Sequence, residues 1–442
     1  MSAHNDYDRT TRWKRWHALV TCNIGVCLEG FDFIAYTAFA PILARQFFPA
    51  SDPLSSTLLV FMGFGAAYVA RPIGGVFWGL YADRQGRRRA LASIAVMMGL
   101  GTVIIAIVPS YAAIGLAAPG LVMFGRLIQG FAASGEFASA TAMLVELAPP
   151  GRKTLYASTQ MAAQVLTIAL AMGAVLLLSA LLQPAALESW GWRIAFAVGA
   201  LVAPLGVYMR MRMIESPEFL ALRERSRAAV PTSGAMLKGL GVHWRALVAI
   251  GGIVVISAAA LYLILVFMPV HAINTLGLPA ADVRRATIIC ALFEVPVIFI
   301  AAVVADRIGG VRVMLPAALI WALVAWPLYA WMIAAPAPGR FLAAQLAAVV
   351  LLGALSGPMP AVMSGLLPTA LRSSGIGFVF NAVGAVFGGL GPFLITMMIA
   401  ATGDPAAPAW WAALTGAVGA TTLIWLVRGG ARPVTPKPME AN

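Results

Sequence analysis

Charge is scarce in this chain. Asp, Glu, Lys and Arg make up 11% of its 442 residues, where a soluble domain carries about 25%, and that deficit excludes a soluble globular enzyme. Cysteine is confined to Cys22, Cys27 and Cys290, an odd number set in apolar runs, so a disulfide scaffold is excluded and the three read as small packing residues. No zinc-ligand spacing, phosphate-cradling Gly-Lys-Ser/Thr loop or nucleophile triad occurs. Neither an enzyme nor an ATP-driven machine has support, and no metal or cofactor is expected.

Apolar residues dominate instead, at 61% of the chain with a mean hydropathy of +0.88. Twelve membrane crossings at about 20 residues each fit comfortably. Apolar runs bounded by charge, Pro and Gly predict spans at 17–41, 56–80, 90–108, 114–146, 154–182, 191–209, 246–270, 286–305, 313–334, 341–365, 374–401 and 409–427. The net charge of +13 would suit nucleic acid in a soluble protein, but here the basic residues concentrate in alternate loops. The odd-numbered loops hold only Arg45, Arg284, Arg285 and Arg340, while Arg71, Arg126 and Arg193 fall inside spans. This asymmetry places both termini in the cytoplasm. The basic start, Arg9, Arg12, Lys14 and Arg15, runs into a span too long and too polar for a signal peptide, so none is expected.

An even number of spans with both ends on one side suggests duplication. Gly79-Leu80-Tyr81-Ala82-Asp83-Arg84-Gln85-Gly86-Arg87-Arg88-Arg89 follows span 2, and Ala305-Asp306-Arg307-Ile308-Gly309-Gly310-Val311-Arg312 follows span 8, 223 residues later. Each glycine permits a tight turn, and each Asp-Arg pair can bridge helices by charge-assisted hydrogen bonds. The expected fold is all-α, with two pseudo-symmetric six-helix bundles. The expected organisation is a cytoplasmic segment at 1–16, the first bundle at 17–209, a basic linker at 210–245, the second bundle at 246–427 and a Pro-rich tail at 428–442. The linker, which contains Glu215-Ser216-Pro217-Glu218-Phe219, reads as a solvated connection or as a latch that moves during gating. The tail beyond Arg432 is expected to be disordered.

These motifs, with Gly125-Arg126 and Glu146-Leu147-Ala148-Pro149, resemble the major facilitator superfamily. Leu28-Glu29-Gly30-Phe31-Asp32-Phe33, Arg71-Pro72-Ile73-Gly74, Arg126-Leu127-Ile128-Gln129-Gly130-Phe131, Gly135-Glu136, Trp190-Gly191-Trp192-Arg193 and Phe387-Gly388-Gly389 resemble its metabolite:proton symporter group. Within that group, Thr402-Gly403-Asp404, Pro408, Trp410-Trp411 and His243-Trp244-Arg245 are most similar to the citrate-proton symporters. The resemblance implies alternating access around a midplane cavity, with protons as the coupling ion and a small organic anion as partner. Citrate or a related tricarboxylate leads, followed by an α-ketoglutarate-like dicarboxylate and then a zwitterionic osmolyte. A membrane receptor that senses substrate without moving it is the reading from a different class. The bilayer of the cell inner membrane is the other expected partner. Nucleic acid is not one, and no obligate protein partner is evident.

Charged groups at membrane depth cost several kcal/mol unless paired or facing water, so they are the candidates for chemistry. Glu29 and Asp32 lie three apart, with Tyr36 four further on, all on one helix face. Two carboxylates on one desolvated face suit a proton carrier; the alternative is a structural partner for an arginine. The resemblance assigns Asp32 as the main protonatable group and Arg126 as its partner, with Glu29 as a second candidate. Arg71, about 18 Å up its helix from Asp83, either pairs with an acid or binds an anionic substrate bidentately. Arg126 with Gln129, and Gln160 with Gln164, extend a polar wall or make interhelical contacts. Glu136 relays protons or locks helices. Glu294, two residues before Pro296, stands where a broken helix would expose a cavity, and Asn381 is a candidate ligand amide. Arg193 reads as an interfacial anchor and His271 as a surface group at the outer end of span 7. The resemblance implies that Asp83, Arg84, Arg87, Glu146, Arg152, Asp306 and Arg307 form a cytoplasmic charge network that holds the outward-facing state.

Overall fold

Backbone amides have no water to bond inside hydrocarbon, so each apolar run must satisfy its own by coiling into a helix. The computed structural model describes residues 2–48, 53–212, 215, 220 and 233–431, and among them there is no strand. The long helical segments are α1 (Ser2–Ala38), α2 (Pro53–Gln85), α3 (Arg87–Ile107), α4 (Ala117–Leu147), α5 (Lys153–Leu181), α6 (Arg193–Met211), α7 (Trp244–Asn274), α8 (Ala280–Ile308), α9 (Gly310–Ala334), α10 (Pro338–Gly365), α11 (Thr369–Thr402) and α12 (Ala407–Val427). Nine of these described segments are long and apolar enough to cross a membrane on composition alone. The other three, α2, α4 and α6, include buried charged residues, among them Asp83, Arg126, Glu136, Glu146 and Arg210. Together the twelve segments match the twelve predicted spans.

Two loop glycines set sharp helix boundaries. Gly86 has φ 105° and Gly309 has φ 99°, a region that residues with a Cβ avoid, so the chain turns abruptly from α2 into α3 and from α8 into α9. These are the glycines of the half-length repeat. The short helix Ala40–Phe47 follows α1, and Ser233–Val242 precedes α7.

Helices α1 to α6 pack among themselves, as do α7 to α12. Between the halves α2 meets α11 and α5 meets α8, with α4 also against α11. The first two contacts exchange under the half-chain repeat. At the α2–α11 crossing Gly75 faces Gly377, and a Cβ on Gly75 would stand 2.5 Å from the Gly377 carbonyl oxygen. Helices α7 and α11 each contain a π-helical turn, Leu263–Phe267 and Ala385–Gly389, with a proline soon after at Pro269 and Pro392.

The expected linker begins later than residue 210: Arg210 lies in the last turn of α6 and is buried. Most of the segment read as a latch or solvated loop, residues 213–214, 216–219 and 221–232, lies outside the described residues, as does the tail from residue 432.

Candidate functional site

On the face of the repeated loops, each half caps a helix of the other. The Asp83 carboxylate accepts hydrogen bonds from the amides of Ser374 at 2.8 Å and Ser373 at 3.3 Å, and from the Ser374 hydroxyl at 2.5 Å. These amides belong to the first turn after the 3-10 start of α11. Asp306 does the same at the start of α5, accepting from the amides of Thr154 at 2.8 Å and Leu155 at 3.0 Å. A carboxylate at a helix N-terminus bonds amides with no intrahelical partner and meets the positive end of the helix dipole.

Around Asp83, the buried Arg87 guanidinium lies 3.2 Å from the Asp83 carboxylate and 3.4 Å from Glu146, and donates to the Thr369 carbonyl at 2.9 Å. Arg372 of the second half reaches Glu146 at 2.8 Å. Glu215 accepts from the Arg87 amide at 2.9 Å, capping α3. Of the predicted gating set, Asp83, Arg87 and Glu146 are brought together here, and Asp306 forms the second cap, on α5. Arg84, Arg152 and Arg307 are exposed, and the place expected for Arg152 beside Glu146 is taken by Arg372. Sequence reading passed over Arg372 because a lone arginine between spans looks like any other basic loop residue.

Between the halves lies a cavity of about 50 Å³ lined by Tyr68, Arg71, Gln164, Ser257, Tyr262 and Asn381 among others. It has room for a few waters and none for a tricarboxylate. The hydroxyls of Tyr68 and Tyr262 hydrogen-bond across the two halves. The rings of Phe137 and Phe380 stack across them, centroids 3.8 Å apart and nearly parallel. At 1.5 Å per residue, Tyr68 stands about 25 Å from the Gln85 end of α2 and Phe137 about 15 Å from the Leu147 end of α4. The tyrosines therefore roof the cavity on the side away from the repeated loops, and the phenylalanines join the halves nearer to those loops.

Arg71 sits under that roof, its guanidinium 4.5 Å from the Tyr68 ring centroid and 4.6 Å from that of Phe33. It pairs with Glu29 at 3.1 Å, so it has an acid partner and a place on the cavity wall at once. Asn381 donates to the main-chain carbonyls of Ser134 at 2.7 Å and Gly377 at 2.6 Å, tying α11 to α4 at the cavity edge. Gln164 lines the wall. Gln160 is buried, accepting from Thr141 at 2.7 Å and donating to the Phe137 carbonyl at 3.1 Å, so it serves interhelical packing.

Asp32 and Arg126 lie inside the first half, away from the central cavity. The direct carboxylate–guanidinium pair expected there is replaced by a bridge. Gln129 donates to Asp32 at 3.1 Å and accepts from Arg126 at 2.9 Å. The Thr102 hydroxyl also donates to Asp32, whose Oδ1 has no hydrogen-bond partner. Arg126 lies 3.6 Å over the Tyr36 ring and reaches the Asp32 carbonyl at 3.5 Å. The bridge exists because Gln129 lies one turn from Arg126 on α4 and its amide offers one acceptor and one donor to opposite neighbours.

A second cavity of about 20 Å³, one water in size, is bounded by Gly25, Glu29, Asp32, Thr102, Glu136 and Arg210 among others. Arg210 pairs with Glu136 there and donates to the Leu91 carbonyl at 3.2 Å. All three proton-coupling acids predicted from the sequence therefore border one small void. Arg210 was assigned to the linker because its neighbours Arg212 and Glu215 look like a polar loop; the apolar stretch before it was the available signal. Glu294 was expected to open onto a cavity, but α8 runs unbroken through Pro296, and Glu294 is 0% exposed inside the second half. His271 is buried rather than on the surface, stacked on Phe267 with centroids 5.5 Å apart. Arg193 lies over the Trp192 ring at 4.3 Å and donates to the Ala106 carbonyl at 3.0 Å.

Known proteins are similar to this chain in sequence and in fold. The family described as sugar (and other) transporter matches residues 17–240. The citrate-proton symporter of Salmonella typhi is 34% identical over 420 residues, 94% of this chain and 95% of that protein. The citrate-proton symporter of Klebsiella pneumoniae is 33% identical over 414 residues, 94% of this chain and 92% of that protein. The structure of the major facilitator superfamily proton:xylose symporter XylE bound to 6-bromo-6-deoxy-D-glucose superposes with a TM-score of 0.79 at 19% identity, covering 95% of this chain and 96% of that one.

Proposed function

This chain belongs to the sugar (and other) transporter family of the major facilitator superfamily, and on that footing we propose that it is a proton-coupled symporter importing an organic carboxylate, citrate or a related tricarboxylate foremost. It is a multi-pass inner-membrane protein. The concentration of basic residues in the loops after even-numbered spans supports cytoplasmic termini and a cytoplasmic position for the Asp83 and Asp306 loops. In this reading the two helix caps hold the inner side shut.

The observation that carries the proposal is that Arg71, on the wall of the central cavity, is held by Glu29. A substrate carboxylate and Glu29 compete for the same guanidinium fork. When Glu29 is protonated, Arg71 is released to receive the substrate; when the substrate leaves, Glu29 gives up its proton and the pair re-forms. Asp32 and Glu136, beside the same one-water void as Glu29, supply proton acceptors along the first half. The citrate-proton symporters among its relatives support the substrate class.

The membrane potential constrains the cycle. Moving one charge across 100 mV involves about 2.3 kcal/mol, so a trianion entering with a single proton would cost about 4.6 kcal/mol at an inside-negative potential. Uptake must therefore carry enough protons, or select a partly protonated carboxylate. The test is uptake of citrate, α-ketoglutarate and betaine into proteoliposomes at clamped potential and several external pH values. Concentrative carboxylate uptake that rises as external pH falls is expected. Transport of betaine alone would overturn the carboxylate reading, and binding without flux would point to a sensor.

A further inference from the structure

Glu294 is a buried acid with no role in the cycle described so far. It is 0% exposed, and neither carboxyl oxygen has a hydrogen-bond partner. Among the described residues, no Lys, Arg or His nitrogen lies within 4 Å of it. The groups on the helices packed against α8 do not relieve it. Tyr329 of α9 donates to Gln345 of α10 at 3.2 Å, Gln345 donates to the Ile264 carbonyl, and His271 near the end of α7 stacks on Phe267. On α5, which packs against α8, the only charged side chain is Lys153 at the first position, and Cys290 lies one turn away on α8. The basic residues Arg284 and Arg285 of α8 stand about 14 Å along the axis.

A bare carboxylate in such a place costs several kcal/mol, and removing the charge with a proton relieves most of it. A hard metal cation would need six or more oxygen ligands, and this site offers two. Twelve residues along the same helix, about 18 Å away, Asp306 caps α5. Under the symport reading, opening that cap parts α8 from α5 across the halves and is the step that would change the surroundings of Glu294.

We propose that Glu294 is a second proton-binding site, in the second half, loaded while the outer side is open, held in this conformation and discharged when the inner side opens. The proton binds a carboxylate oxygen from the outer water and leaves to the inner water, so each cycle moves one proton more than the first-half acids carry. This inference rests on the symport reading above.

The test uses the full chain in proteoliposomes, with the proton-to-substrate ratio read from the reversal of citrate flux at fixed potential. Each coupled proton changes the equilibrium accumulation ratio about tenfold per unit of pH gradient, since that unit is worth about 1.4 kcal/mol. Glu294→Gln is expected to keep transporting while losing one such factor of ten, and Glu294→Asp to keep it. An unchanged slope in Glu294→Gln overturns the proposal. Infrared spectroscopy of the wild type and of Glu294→Asp decides independently of flux. A protonated carboxylic-acid carbonyl band that shifts in Glu294→Asp supports the site, and its absence overturns it. Failure of the wild type to move any carboxylate would instead sink the symport reading, with the infrared result still standing for Glu294.

Discussion

Glu29→Gln tests the coupling scheme most directly. In the wild type, the Glu29 carboxylate holds the Arg71 guanidinium at 3.1 Å, and an incoming substrate must displace it. A hydrogen bond between charged groups is worth about 1.5–3 kcal/mol, and both side chains are less than one-fifth exposed, so solvent screens the pair only partly. Removing the competing charge should therefore tighten carboxylate binding roughly 10- to 150-fold where Glu29 is ionised. The sign follows from the competition. Raising the pH ionises Glu29, strengthens its hold on Arg71 and weakens substrate binding in the wild type; lowering the pH removes the difference between the two proteins. Citrate binding to purified protein by calorimetry, across a pH series, should show a steep dependence in the wild type and a shallow one in Glu29→Gln. Proton-driven accumulation should fall by the share that the Glu29 proton supplies, while substrate exchange persists. A pH dependence in Glu29→Gln as steep as in the wild type would refute the scheme and move coupling to Asp32 or Glu136.

Arg71→Lys keeps the charge but loses the planar fork, so it should weaken binding of di- and tricarboxylates together by about tenfold or more; unchanged affinity would leave Arg71 with a structural role only. Asp83→Asn removes the charge from the cap on α11 and from Arg87, and should slow transport while equilibrium affinity shifts little, with Asp306→Asn milder because Gly310 stands where Arg87 does in the first repeat. A large affinity loss with an intact rate in Asp83→Asn would contradict the gating role. Arg210→Leu strands the Glu136 charge in the first half and should cost about 3–5 kcal/mol, read as a lowered thermal midpoint in detergent, while adding Glu136→Leu should recover most of the loss.

The helices were legible because hydrocarbon allows the backbone few alternatives: expected spans such as 154–182 and 409–427 fall within a residue or two of α5 and α12. The repeat was legible because Gly86 and Gly309 are demanded by backbone geometry, whatever the neighbouring side chains. Side-chain partnerships were less so. Arg71 could be placed at the right depth, but nothing in one dimension chooses between Glu29 on α1 and a substrate. The Gln129 bridge depends on rotamers across three helices, and the fate of Glu294 on whether Pro296 breaks α8, which the packing of α9 and α10 decides. Tyr68 lies one turn before Arg71 and was within reach of the same reasoning. Tyr262, from the other half, required the interface.

The reciprocal caps also say where evolution is free. Across the halves Asp83 and Asp306 grip peptide N–H groups, with a side-chain donor from Ser374, so most of what each aspartate recognises in the other half is common to every residue except proline. Positions 154, 155 and 373 can drift in side chain without unlocking the molecule, whereas a proline at any of them deletes a contact outright. At the caps themselves the two halves consequently need not co-evolve, whereas Glu146 and Arg372 must be kept together. Chimeras that join the first half of this chain to the second half of a distant relative should still shut on the inner side, provided that each aspartate stays in its loop, the amides opposite remain amides and Glu146 meets an arginine.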